Sequence, residues 1–223
     1  MNKTAAEDIV HLYQELVRCN MNHGSSGNVS CREADRFLIT PTGATATSLA
    51  AQQLVEVPLT GTPQPGTAPS SEWAMHAAVY AACPEAGFVV HTHADACTAL
   101  ACLNEPLPAF HYTVLGFGGN EVPCVPYHTF GTEQLANAVR TTMPGYKACL
   151  LANHGMICHG PDAATALAAG VRLETLARQY LLARSAGTPR LLNAEEIHQA
   201  RLRYQTYGKP IDAHPTAAAP SLG

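Results

Sequence analysis

The chain has 223 residues, enough for one sizeable domain with a single core, and only 13% of them are charged, well below the usual quarter. A net charge of -4 with no Lys/Arg cluster excludes the electrostatic footprint of a nucleic-acid or anionic-membrane binder and leaves small molecules as the expected partners. The abundance of small residues at so low a charge points to a large surface buried between subunits, hence to a homo-oligomer. Eight cysteines, none in a CxxC pair and most in apolar stretches, read as buried free thiols of a reducing compartment. No leader-like segment opens the chain and no apolar run of about 18 residues occurs, so a soluble cytoplasmic protein is expected.

In chain order, "AAEDIVHLYQELVRC" (5–19) spaces Ile9, Leu12, Leu16 and Cys19 by three and four, which predicts an amphipathic helix ending before the turn "NHGSSGN". Two short strands, "RFLIT" (36–40) and "LVEVPL" (54–59), follow, then a Pro/Gly-rich surface loop. Ser70 and Ser71 are placed to cap a helix over "EWAMHAAVYAA", with Pro84 beyond its end. Next come a buried strand "GFVVH", a helix from about Asp95 to Leu103, strands at "HYTVL" and "VPCVPY", and a helix capped near Thr132. "KACLLANH" and "GMICHG" predict paired strands, and 162–186 and 194–207 predict closing helices, the last capped by Asn193 with Glu196. Interleaved helices and strands, with hairpin-like spacing after 110, indicate an α/β domain with a mixed or antiparallel sheet. It spans 1–210, and the tail 211–223 is expected to be disordered.

The strand before "HTH" carries the chemistry. Residues i and i+2 of a strand share a face, so His91 and His93 would present two imidazoles to one point. His154 follows a second buried strand and precedes Gly155, so adjacent strands would bring in a third. Three neutral nitrogens suit zinc and leave a coordination position open, the arrangement of a catalytic Lewis acid. Spacing alone leaves His76, His111, His128 and His159 open as further ligands.

Three small-residue turns, "GSSGNVS" (24–30), "TPTG" (40–43) and "PSSE" (69–72), are suited to an anion, the last at a helix N-terminus where free amides favour phosphate. Glu72 lies in the first turn of that helix, next to Ser70 and Ser71. A carboxylate there would move a proton beside a carbonyl polarised by the metal.

As a set, "GSSGNVS", "TPTG", "SSEWAMH", "HTHADACTA", "HYTVLGFGGNEVPCVPYHTFGT" and "NHGMICHG", with "YQTYG" near the end, resemble the class II aldolase/adducin family from about residue 5 to 210. The resemblance implies a three-layer α/β/α fold on a largely antiparallel sheet, and a C4 homotetramer with active sites at subunit interfaces. It implies zinc, or another divalent metal such as manganese, on His91, His93 and His154, with Glu72 as a resting-state ligand that becomes the acid/base. It further implies phosphate binding by Gly27, Asn28, Thr42, Gly43, Ser70 and Ser71, a proton-donating Tyr112 from the neighbouring subunit, and Tyr207 approaching the same region. The implied reaction is reversible cleavage of a ketose 1-phosphate, fuculose 1-phosphate or a 5-deoxy- or methylthio-pentulose 1-phosphate, to dihydroxyacetone phosphate and an aldehyde. Epimerases, dehydratases, decarboxylases and metal-free adducin-type binding proteins share the scaffold, but the related epimerases carry Asp at the position of Glu72.

Overall fold

The computed structural model describes residues 4–204; Tyr207 and the tail lie outside the described residues. Its centre is a seven-stranded sheet built from β1 (Asn28–Glu33), β2 (Arg36–Ile39), β3 (Val55–Pro58), β4 (Phe88–Thr92), β7 (Cys124–Val125), β8 (Ala148–Leu151) and β9 (Gly155–Gly160). Their order is β3-β2-β1-β4-β9-β8-β7, and every neighbouring pair is antiparallel except β7 with β8. A separate two-stranded ribbon joins β5 (Leu107–Pro108) to β6 (Glu121–Val122).

Helices cover both faces, giving three layers. On one face α1 (Ala5–Arg18), α3 (Asp95–Ala101) and α5 (Ala163–Ala186) pack on Val29, Val90, Leu150 and Met156. On the other, α2 (Trp73–Ala82) and α4 (Glu133–Thr142) pack on Phe37, Val89, Cys149 and Ile157. Strand alternation sorts these residues: even positions of β4 face the first layer and odd positions the second. His91 therefore lies on the α2 side. A final helix, α6 (Ala194–Tyr204), starts from a reciprocal Asn193–Glu196 cap, as the sequence predicts.

Several expectations are corrected. Cys19, read as part of the α1 stripe, is exposed at the helix end, while Tyr13 completes the buried face. "NVSCRE", absorbed into the glycine turn, is strand β1; its inward Asn28 and Ser30 hide the apolar alternation. "HYTVL" is a 3-10 turn over Tyr112–Phe117, begun when the His111 ring accepts the Thr113 N–H and closed by Gly118 at φ 111°. "VPCVPY" is two strands divided at Pro123, which has no N–H to offer a continuous ladder. Cys102 is exposed and Cys124 half-buried, while Cys31, Cys83, Cys97, Cys149 and Cys158 are buried free thiols. Among the described residues no helix is long and apolar enough to cross a membrane.

Candidate active site

The site forms where the C-terminal end of β4 and the β8–β9 turn meet the N-terminus of α2. His91 is the fourth residue of β4 and His93 lies just past the strand end; their Nε2 atoms stand 3.1 Å apart. His154 closes the β8–β9 turn after Asn153, whose φ is 55°. The three rings meet edge to face, with centroids 4.8 to 4.9 Å apart. A Cβ on Gly155 would strike the Thr92 carbonyl oxygen and approach His93 Cδ2 to 3.1 Å, so the glycine is what lets β9 lie this close.

Glu72 completes the group. It occupies the N-cap position of α2 and makes no capping bond with its own side chain; the Glu72 N–H instead donates to Ser70 Oγ at 3.3 Å. Neither Ser70 nor Ser71 caps the helix as expected. Freed from capping, the carboxylate turns inward, with Oε2 3.0 Å from His91 Nε2 and Oε1 3.2 Å from His154 Nε2. It is buried at 6% exposure.

The donor chemistry calls for a cation. His91 Nδ1 is 2.9 Å from the Met156 carbonyl oxygen, which can only accept, so the ring proton sits on Nδ1 and Nε2 presents a lone pair to the centre. Lone pairs and a carboxylate thus converge on one point, and Glu72 Oε1 is buried with no hydrogen-bond partner among the described residues. Burial and the nearby His91 and His154 push the His93 imidazole down to about 4, which keeps it neutral and able to ligate. Burial opposes ionisation of Glu72, yet the adjacent His91 and His154 imidazoles favour it by more and hold the carboxyl well below the usual carboxylate range. Residues His91, His93, His154 and Glu72 could therefore hold a metal ion.

Glu72, His93 and His154 line a cleft of about 290 Å³, with His91 buried beside them. Every residue expected around a phosphate, Gly27, Asn28, Thr42, Gly43, Ser70 and Ser71, lines it together with Glu72, His93 and His154. Gly27 has φ +72°, and a side chain there would collide with Asn22, which is buried beneath the turn. Asn28 departs from a simple phosphate ligand: its amide donates to Glu72 Oε2 at 3.0 Å and its carbonyl meets His76 Nε2 at 2.5 Å. Ser25, Ser26, Pro41 and Phe130 also line the cleft and were missed as site residues. The serines sit inside a turn already singled out; Phe130, 65% exposed, carries no local signal beyond being a large apolar residue between turn residues.

Tyr112 is not part of this cleft. It stands at 46% exposure on the 3-10 turn, its ring stacked on His111 at 4.7 Å and 6.2 Å from the Tyr204 ring. Of the histidines left open, His76 is fully buried behind Asn28, His111 bonds Thr113, and His128 is half-buried outside the ligand group. His159 lies near Cys83 and Glu85, but its Nε2 meets the Tyr146 carbonyl at 3.2 Å. The Cys83 thiol, which burial pushes up to about 11, donates to the Met143 carbonyl.

A three-layer α/β/α fold with three histidines and a glutamate grouped beside a hydroxyl- and glycine-lined cleft defines a metal-dependent lyase site, and the chain belongs to the class II aldolase and adducin family, whose N-terminal domain description matches residues 7–181. It is similar to L-fuculose phosphate aldolase of Escherichia coli O6:H1, 40% identical over 208 residues, 93% of this chain and 97% of that one. It is equally similar to the 5-methylthioribulose-1-phosphate/5-deoxyribulose-1-phosphate aldolase of Rhodospirillum rubrum, 40% identical over 200 residues and 90% of each chain. A solved L-fuculose 1-phosphate aldolase superposes with a TM-score of 0.85 at 30% identity, covering 92% of this chain and 98% of that one. The chain is a class II aldolase, a carbon–carbon lyase.

Proposed function

We propose that residues 1–210 act as one catalytic domain that reversibly cleaves a ketose 1-phosphate to dihydroxyacetone phosphate and an aldehyde, with fuculose 1-phosphate and 5-deoxy- or methylthio-pentulose 1-phosphates as the candidate ketoses. The observation that carries this reading is the junction of two chemistries: the His91, His93, His154 and Glu72 donor group, and a cleft that Glu72, His93 and His154 line together with the Ser70, Ser71, Thr42 and Gly43 turns. Names of the relatives support a sugar-phosphate substrate.

A divalent cation held by these four residues, zinc before manganese on a three-imidazole set, supplies Lewis-acid polarisation of the substrate carbonyl and its neighbouring hydroxyl. The hydroxyls of Ser70, Ser71 and Thr42, with the main chain at Gly27 and Gly43, bind the phosphate and so fix which carbon faces Glu72. In condensation the Glu72 carboxylate takes a proton from C3 of dihydroxyacetone phosphate; in cleavage the electron pair of the C3–C4 bond stays with the dihydroxyacetone portion, and C3 takes back a proton from Glu72 after that carboxylate has gained it from water. In condensation Tyr112 of a neighbouring subunit donates its hydroxyl proton to the aldehyde oxygen, and in cleavage the phenolate so formed takes that proton back from the C4 hydroxyl. Tyr112 is exposed and absent from its own chain's cleft, which fits a role in another subunit of a homotetramer. Tyr207 is assigned to the same substrate end by resemblance. The proposed setting is the cytoplasm.

The test is incubation of the zinc-loaded protein with dihydroxyacetone phosphate and a panel of aldehydes. Condensation with at least one aldehyde is expected. No product with any of them, together with turnover of ribulose 5-phosphate, would move the assignment to a 4-epimerase.

A further inference from the structure

Behind Glu72 lies a line of buried polar groups that neither metal nor phosphate binding uses. Glu72, His76 and Tyr80 recur at four-residue intervals along one face of α2, and opposite them Asn28 and Ser30 recur at a two-residue interval on β1. Four residues of helix advance about 6 Å and two of strand about 6.7 Å, so the two rows stay in step. Asn28 Nδ2 donates to Glu72 Oε2 at 3.0 Å, Asn28 Oδ1 meets His76 Nε2 at 2.5 Å, His76 Nδ1 meets Ser30 Oγ at 2.7 Å, and Ser30 Oγ meets Tyr80 Oη at 2.8 Å. Each of the five side chains is buried, His76 and Ser30 at 0% exposure.

The direction of every bond follows from its end. An ionised carboxylate accepts only, so Asn28 must turn its NH2 toward Glu72 and its carbonyl toward His76. That carbonyl accepts only, so His76 must carry its proton on Nε2. Its Nδ1 is then an acceptor, Ser30 donates to it, and Tyr80 donates to Ser30. Tyr80 is itself held by the Arg32 guanidinium 4.9 Å above its ring and by Phe37, 5.3 Å between ring centroids.

We infer that His76 is a positioning residue for Glu72: fixed as the Nε2–H tautomer by Ser30 and Tyr80, it locks the Asn28 amide in the one orientation that holds Glu72 as an ionised, inward-facing carboxylate. Asn28 thereby joins the phosphate cleft to the acid/base. This rests on the proposed role of Glu72 and adds to it the residues that aim it.

The experiment combines ring 15N shifts of His76 in the wild-type protein with zinc affinity by chelator competition for His76→Gln and His76→Phe. Solvent-deuterium exchange at C3 of dihydroxyacetone phosphate, the step assigned to Glu72 alone, is measured alongside. Expected are a protonated Nε2, a loss of about 10- to 100-fold in zinc affinity and exchange for His76→Phe, and recovery to within about threefold in His76→Gln, whose amide can donate to Asn28. A protonated Nδ1 in the wild type, or a folded His76→Phe with wild-type affinity and exchange, overturns the inference. So does His76→Gln, folded, losing about as much as the loss expected of His76→Phe. Should His76→Phe not fold, the wild-type shifts and the His76→Gln values decide. A wild-type protein that binds zinc without exchanging C3 protons counts against the proposed reaction, while the ring shifts and zinc affinities still judge His76.

Discussion

Asn28 pairs with His91 across the antiparallel β1–β4 register, and its amide donates to the Glu72 carboxylate that stands 3.0 Å from the same histidine's Nε2. A strand pairing and a helix start thus hold the proposed metal ligand and the proposed acid/base in one frame. Removing a single imidazole should dismantle that frame's metal function while leaving the fold. His91→Ala, His93→Ala and His154→Ala are each expected to lose bound metal when counted by elemental analysis, with a far-ultraviolet spectrum like that of the wild type.

Glu72→Gln tests the proton step. The amide keeps the shape and one oxygen but cannot carry the proton, so turnover is expected to fall by about 10²- to 10⁴-fold with metal retained. Wild-type turnover in a metal-loaded Glu72→Gln protein would remove Glu72 from the acid/base role.

Gly155→Ala tests how closely the strands must approach. A methyl group would meet the Thr92 carbonyl and crowd His93, so unfolding stability is expected to drop by about 2–4 kcal/mol, with weaker metal binding. Urea unfolding with and without metal measures both.

Acid should weaken the metal-free fold before carboxylates titrate. Burial, then His91, pushes His76 down to about 3 from an ordinary 6.5. The unfolded chain therefore binds a proton that the folded chain refuses, and stability falls as pH drops below 6.5, with a slope approaching about 1.4 kcal/mol per pH unit from His76. His93, lowered to about 4 and more exposed, adds a smaller slope of the same sign. Unfolding midpoints between about pH 7 and 5 check this, and His76→Gln should flatten the trend.

Glu174, buried on α5, accepts the N–H groups of Ala96 at 3.0 Å and Cys97 at 2.9 Å, tying down the start of α3 just after His93. Glu174→Leu would leave both donors buried and unpaired, at a cost of roughly 3 kcal/mol or more. Thermal unfolding of the variant reads it directly.

What is legible in the sequence is what repeats with a period. The two-residue spacing of His91 and His93, the strand before His154 and the helix beginning near Glu72 all follow from local pattern, and the structure brings them together. What is hidden depends on partners distant in sequence. β1 looks like part of a turn because its inward Asn28 and Ser30 are polar, and their suitability for the interior appears only once His76 and Tyr80 lie against them. The Tyr112 segment reads as a strand because β-branched and aromatic residues fill it, while the His111 ring and Gly118 close it into a turn. Ser70 and Ser71 look like caps, and the chain instead gives the N-cap position to Glu72.

The stepped rows on α2 and β1 also limit how this protein can change over generations. Residues 28, 30, 72, 76 and 80 are each donor or acceptor to another of the five, so altering one strands a neighbour in the interior. A lineage replacing His76 by a residue that cannot donate to Asn28 and accept from Ser30 must cross a less stable sequence, or change a neighbour at the same time. The five positions are expected to change only together, whereas Phe130, exposed on the cleft wall, is bound by no such network.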